Sequence, residues 1–191
     1  MIVLDDGLQN PYLAKDLSLV VVDGSTGFGN GRLIPAGPLR ERVSAGLERS
    51  QAMILMGGDT HGAIRSAVEA GVPVIHAALS PTVESSGLRG QAVLPFAGIG
   101  NPKKFFAMLD EMGCRVVARH GFPDHHRYHP DEIMKMVDEA QARNALLVTT
   151  EKDIVRLPRE ARPLAHAVRI RVVWQDPSQI DELLGRLFAG S

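Results

Sequence analysis

The chain has 191 residues, 45% hydrophobic and 23% charged, enough to bury a core in one domain or two small ones. A net charge of -1 excludes a polybasic nucleic-acid binder, and the single cysteine, Cys114, excludes an intrachain disulfide framework. No apolar run approaches the ~20 residues of a spanning helix, and Met1 leads straight into Ile2-Val3-Leu4 without a basic leader, so the sequence reads as cytoplasmic.

Ile2 to Leu4 predicts a buried strand ending in Asp5-Asp6-Gly7. Paired carboxylates at a strand's carboxyl end suit a metal–phosphate complex, because the acids there reach a cation or its waters. Asp-Asp-Gly also suits a plain turn. Leu19 to Val22 predicts a second strand, followed by a long Gly- and Pro-rich loop through Phe28-Gly29-Asn30-Gly31 to Pro38-Leu39-Arg40-Glu41. Arg40 offers a bidentate fork for phosphate, and Glu41 a carboxylate for a metal or for fixing Arg40; the alternative is a surface ion pair. Ala52 to Met56 and Val74 to His76 predict strands flanking a helix over Gly62 to Ala70. The near-continuous Val, Ile and Leu of these runs predict parallel strands covered on both faces.

Ser80 to Gln91 is polar, rich in Ser and Gly, and without helical period. It predicts a domain junction, with residues 1–82 forming the remnant of one α/β domain, 83–91 a linker and 92–191 a smaller α/β domain. Ala97 to Phe106 reads as a strand, a glycine turn and a helix starting near Pro102. Its free N–H groups and Lys103 suit an anion, and its Phe105 and Phe106 equally suit a plain core helix. Cys114 is expected to be a small buried side chain. Phe122-Pro123-Asp124-His125-His126-Arg127-Tyr128-His129 places three imidazoles in one loop. Adjacent histidines point apart, which disfavours zinc; an Asp beside a His suits acid–base or transition-state work, and a polar loop is the alternative. A helix is predicted over Asp131 to Arg143, a buried strand over Leu146 to Thr149, a half-exposed strand around Val168 to Val172 and a closing helix over Pro177 to Phe188. Glu151, Lys152 and Asp153 read as a solvated helix start, with Lys152 the alternative phosphate contact.

Taken together and in order, these strings resemble the motifs of the tetraacyldisaccharide 4'-kinase family: Asp5-Asp6-Gly7-Leu8-Gln9, Phe28-Gly29-Asn30-Gly31 with Leu33 to Glu41, Ala97-Gly98-Ile99-Gly100-Asn101-Pro102, Phe122 to His126, and Thr149-Thr150-Glu151-Lys152-Asp153. The resemblance implies a partial P-loop-kinase-like parallel-sheet domain plus a smaller α/β domain. It implies transfer of the γ-phosphate of ATP, with Mg²⁺, to the 4'-hydroxyl of tetraacyldisaccharide 1-phosphate in lipid A biosynthesis. The expected location is peripheral, at the cytoplasmic face of the inner membrane, with no nucleic-acid partner. By the same resemblance Asp5, Asp6 and Glu41 are metal-site carboxylates, and Gln9 and Arg40 line the cofactor site. His125 beside Asp124 is similar to the catalytic histidine, which works with an aspartate upstream of this chain. No Gly-x-x-x-x-Gly-Lys-Ser/Thr occurs. The chain is therefore expected to be an amino-terminally truncated form, inactive alone, with a non-catalytic lipid-acceptor or nucleotide-binding module as the alternative. Asn10 departs from the family, which usually has His there.

Overall fold

Runs of Val, Ile, Leu and Met become central strands when both faces of a sheet are covered, and this chain does that twice. The computed structural model describes residues 2–189. The chain order is β1 (Leu19–Asp23), α1 (Val43–Glu48), β2 (Ala52–Met56), α2 (Ala63–Glu69), β3 (Val74–Pro81), α3 (Val83–Ser86), β4 (Ala92–Ala97), α4 (Pro102–Glu111), β5 (Arg115–Val116), β6 (His120–Gly121), α5 (Pro130–Ala142), β7 (Leu146–Thr150), α6 (Glu151–Ile154), a 3₁₀ turn (Arg159–Leu164), β8 (His166–Val168), β9 (Ile170–Trp174) and α7 (Pro177–Ala189). Two compact units result. The first runs to Ser80 and resumes at Val172; the second is Pro81–Arg171.

In the first unit the strand order is β1-β2-β3-β9. β1 and β2 run parallel with Leu19 opposite Ala52, and β2 and β3 run parallel with Met53 opposite Val74. Successive side chains of β2 point to opposite faces. Met53 and Leu55 pack with Val22, Leu47, Ala63 and Ala67 under α1 and α2. Ala52 packs with Ile75 and with Ile180 of α7 on the other face. That double cover is why β2 tolerates no polar residue.

In the second unit the order is β5-β4-β7-β8, with β6 also paired to β4, all parallel. Leu94 and Phe96 of β4 face Ile133, Met136 and Val137 of α5. Val93 and Ala97 face Phe105, Phe106 and Leu109 of α4, with Cys114 buried beside them. Burial pushes the Cys114 thiol up, with the Asp110 charge adding to it, so it stays a protonated filler as expected. Pro95 lies inside β4 although proline has no N–H for a ladder. It falls between the β5 pairing, which ends at Val93–Val116, and the β6 pairing, which starts at Phe96–His120. Its missing donor therefore coincides with the break that separates those two short strands.

Three expectations are corrected. Ile2 to Leu4 is not a strand: no described strand lies beside it, and Ile2 is 88% and Val3 81% exposed. The segment 83–91 is not a linker, because Val83–Ser86 is a helical turn capped by Thr82, and the buried Ser85 hydroxyl accepts from Arg169 N–H at 2.8 Å. Ser and Thr serve here as caps and internal partners, a use that composition alone does not distinguish from a solvated tether. The unit that starts there does not run to the end of the chain, since β9 and α7 complete the first sheet and its cover.

Candidate functional site

Two polar clusters stand out, one in each unit. The first is built by the loop after β1. Asn30 Oδ1 accepts from Arg32 N–H at 3.1 Å, and its Nδ2 donates to Ala36 O at 2.9 Å. Gly37 packs so closely that a Cβ there would collide with Asn30 Oδ1 and Arg32 O. Ile34 N–H donates to Leu39 O and Leu39 N–H to Arg32 O, closing the loop and projecting Arg40 and Glu41. The Ile34–Pro35 bond is cis.

Arg40 Nη1 lies 3.5 Å from Asp6 Oδ2 and 3.5 Å from Gln9 Oε1. Gln9 Nε2 in turn donates to Glu41 Oε1 at 3.0 Å, so one amide bridges the arginine and the acid. Arg49, from the end of α1, donates to both Glu41 oxygens at 2.7 Å. Gln9, Arg40, Glu41 and Arg49 line an open recess. An adjoining hollow has an apolar lining of Leu8, Val20, Phe28, Leu39, Val43 and Leu47. Gln9, Arg40, Asp6 and Glu41 are thus brought together as the sequence suggests, and Arg49 is an addition that it did not single out. Asp5 is exposed in the neighbouring turn. The expected metal set is not assembled: among the described residues no three His, Cys, Asp or Glu side chains are grouped to hold an ion. Asp6 and Glu41 are turned to guanidinium groups instead, Asp6 to Arg40 Nη1 and both Glu41 oxygens to Arg49 Nη2.

The second cluster sits where β4 and β7 end. Thr150 caps α6 through its hydroxyl, accepting from Asp153 N–H at 3.1 Å, and donates to Asp153 Oδ2 at 2.7 Å. Asp153 is fully buried; its Oδ2 also accepts from Gly98 N–H at 3.2 Å. Its Oδ1 receives Arg156 Nη1 at 3.2 Å, and the same nitrogen donates to Gly98 O at 2.8 Å. The reading of Asp153 as a solvated helix-start charge is therefore corrected: it is the anchor that ties α6 to the turn after β4. A carboxylate can be buried only with such a full set of donors.

The three histidines of the 122–129 loop have three different jobs. His126 stacks on Phe122 at 4.6 Å between centroids and pairs through Nε2 with Glu132 Oε2 at 3.0 Å. His129 caps α5, accepting from Asp131 N–H at Nδ1, while Glu132 Oε2 accepts the His129 N–H at 2.8 Å. These bonds, the His129 N–H first, hold the Glu132 carboxyl below its usual range. The His129 ring is 70% exposed, but its Nδ1 is committed to the α5 cap. His125 presents its ring, 80% exposed. Its backbone is left-handed, φ +60°, held by its N–H donating to Gly98 O at 3.1 Å and to Asp124 Oδ1 at 2.9 Å. Arg156 Nη2 reaches His125 Nδ1 at 3.1 Å. Asp124 thus serves mainly the backbone of His125; its Oδ2 is 3.8 Å from Nε2, beyond a hydrogen bond. Beneath the loop, Tyr128 is buried edge-on to Phe96, Phe122 and His126. Burial of its hydroxyl, with the nearby Asp153 charge, pushes it up so that it stays protonated.

At α4 Phe105 and Phe106 are buried, as a core helix requires. Arg156 is not singled out by the sequence, and Asp153 and Tyr128 appear in it only as a helix-start charge and a member of the loop string. The one local signal was the Thr-x-x-Asp spacing from Thr150, a helix-start pattern placed immediately after a buried strand.

Comparison with known proteins gives a consistent result. The family profile "LpxK: Tetraacyldisaccharide-1-P 4'-kinase" matches residues 1–189. A tetraacyldisaccharide 4'-kinase of Rhodospirillum rubrum is 53% identical over 99% of this chain and 58% of its own length. One from Rhodospirillum centenum is 49% identical over 100% of this chain and 56% of its own. The chain therefore spans a little over half the length of these curated relatives. The solved structure of the "apo" form LpxK from Aquifex aeolicus in complex with ATP is similar in fold, with a TM-score of 0.64 and 24% identity over 95% of this chain and 56% of that one.

Proposed function

This chain belongs to the tetraacyldisaccharide-1-P 4'-kinase family, and on that premise we propose that it serves the transfer of the ATP γ-phosphate to the 4'-hydroxyl of tetraacyldisaccharide 1-phosphate. The observation that carries the reading is the extent of the family match, residues 1–189, which takes in both polar clusters. ATP enters because the Aquifex aeolicus relative of similar fold is in complex with it.

Phosphoryl transfer needs little covalent work from the protein; it needs charge neutralisation and positioning. Arg40 is suited to a phosphate oxygen, with its Nη1 alone shared by Gln9 and Asp6 on an exposed loop from which a ligand can displace weak partners. Gln9 carries Arg40 on one end of its amide and Glu41 on the other, so it sets the spacing of the pair. His125, fixed in backbone and ring, is suited to a hydrogen bond with an anionic oxygen of substrate or of a neighbouring acid, and Asp124 maintains its turn. Mg²⁺ would supply further neutralisation of the triphosphate. Asp5, Asp6 and Glu41 are not grouped to hold it among the described residues. No helix among the described residues is long and apolar enough to cross a membrane; the proposed location, peripheral at the inner membrane's cytoplasmic face, comes with the family reading.

A second reading is a module that binds the acceptor lipid or a nucleotide without catalysis, which the exposed, replaceable partners of Arg40 also suit. Labelled ATP and the lipid acceptor distinguish the two. The chain alone, and the chain joined to the portion of the Rhodospirillum rubrum relative that it does not cover, are assayed for label in the lipid. Transfer by the joined protein is the expected result. Acceptor binding by both without transfer by either overturns the kinase reading and leaves the binding module.

A further inference from the structure

Of the three imidazoles in the 122–129 loop, His126 and His129 each commit a ring nitrogen to the start of α5; the exposed ring of His125 does not, yet it is not free to choose its proton. A guanidinium has five N–H donors and no lone pair, and it is not deprotonated in proteins. The 3.1 Å contact from Arg156 Nη2 to His125 Nδ1 therefore requires Nδ1 to be the acceptor. The ring proton of the neutral imidazole then sits on Nε2.

Arg156 is not a casual neighbour. Its other terminal nitrogen is bound to Gly98 O at 2.8 Å and to Asp153 Oδ1 at 3.2 Å, and Asp153 is fully buried and held by Thr150 and by Gly98 N–H. The turn that accepts from Arg156 is the one that accepts the backbone N–H of His125. A single rigid frame thus fixes both the main chain and the ring of His125. Asp124 Oδ2, 3.8 Å from Nε2, is too far to take its hydrogen.

From this geometry we propose that Arg156 is a positioning residue that locks His125 as the Nε2–H tautomer, so that His125 meets an incoming oxyanion, a phosphate or carboxylate oxygen, as a hydrogen-bond donor. In this state Nε2 has no lone pair with which to take a proton from a hydroxyl. Any proton gained by the ring would have to enter at Nδ1 and displace Arg156. The proposal rests on His125 being the working imidazole of the proposed function, but the lock itself does not depend on turnover.

The test is a ring-nitrogen NMR measurement on the 191-residue chain labelled at histidine, near about pH 8, where imidazoles are neutral. Long-range proton–nitrogen correlations identify which ring nitrogen carries hydrogen. The expected result is a single Nε2–H form for His125. In Arg156→Lys, whose ammonium can still pair with Asp153 but cannot span Gly98 O and the ring together, the expected result is a mixture of tautomers for His125 with His126 and His129 unchanged. A wild-type His125 with hydrogen on Nδ1, or an averaged pair, overturns the lock even if the variant fails to fold. An unchanged His125 in a folded Arg156→Lys chain also overturns it.

Turnover by the joined protein separates this inference from the one beneath it. If His125→Ala leaves transfer intact, the role of His125 fails while the lock stands. If His125→Ala abolishes transfer, Arg156→Lys is expected to lower kcat about tenfold with the acceptor KM unchanged. Full kcat in that variant, with its tautomers shown to be mixed, overturns the positioning role.

Discussion

The two clusters are made from the same materials, arginines against carboxylates with an amide or imidazole between them, but they are built to opposite specifications. In the first unit Arg40, Asp6 and Gln9 are exposed on loops, and the Arg40–Asp6 side chains are 66% and 80% exposed. Such pairs are worth about 0–1 kcal/mol, because water already solvates both charges. In the second unit Asp153 is fully buried and Arg156 three-quarters so, and every carboxylate oxygen has a donor. Removing one partner from such a pair costs about 3–5 kcal/mol, since the other is left charged and unsolvated. The first cluster is a set of contacts that a ligand can replace. The second is a frame that holds one exposed ring in place.

The comparison breaks most readily at Asp153. Asp153→Ala orphans Arg156 and the Gly98 N–H, and is expected to destabilise the second unit by about 3–5 kcal/mol in denaturant unfolding followed by hydrogen exchange of its strands. A loss below about 1 kcal/mol would put Asp153 in the same class as the surface pairs. Gly98→Ala comes next. A Cβ there would sit 2.9 Å from Tyr128 Oη, 3.1 Å from His126 Cβ and 3.2 Å from Pro123 O, and the buried ring has nowhere to go. Destabilisation of about 1–3 kcal/mol is expected, with shifted His125 and His126 resonances.

Glu132→Gln gives a smaller effect with a signature in pH. The folded-state carboxyl is held below its unfolded value, so its contribution is present above the unfolded value of about 4.3 and is lost as pH falls through the folded one. The variant should be less stable than wild type by about 1 kcal/mol at neutral pH, and the gap should close on acidification below about pH 4. A gap independent of pH would mean that shape, not charge, matters at that helix start. Arg40→Ala sits at the bottom of the series. Its stability should match wild type within about 0.5 kcal/mol, and a larger loss would show the first cluster to be structural.

Where both faces of a strand are covered, the sequence was nearly transparent: Ala52–Met56 was readable because each residue needs an apolar neighbour on one side or the other. Ile2 to Leu4 shows the same composition and forms no strand, because apolarity supplies a reason to be covered but not the strand that does the covering. The candidate site was legible where a side chain is exposed and chemically singular, as with Arg40 and His125. It was illegible where a charge is buried. Asp153 looks like any polar helix start, and only the arrival of Gly98 and Arg156 from distant and local chain turns it into a core residue. The polar composition of residues 80–91 lies beside the boundary at Ser80, but the return of Val172 onward to the first sheet depends on pairing that no local pattern encodes.

The most direct measurement is phosphate transfer from labelled ATP to tetraacyldisaccharide 1-phosphate by the joined protein, carrying Arg40→Ala or His125→Ala with unfolding free energies checked in parallel. Transfer that falls by about a hundredfold or more in each variant, at unchanged stability, is the predicted result. Transfer that survives either substitution, or that never occurs in the unsubstituted protein, would contradict the assignment of those two side chains to a phosphotransferase.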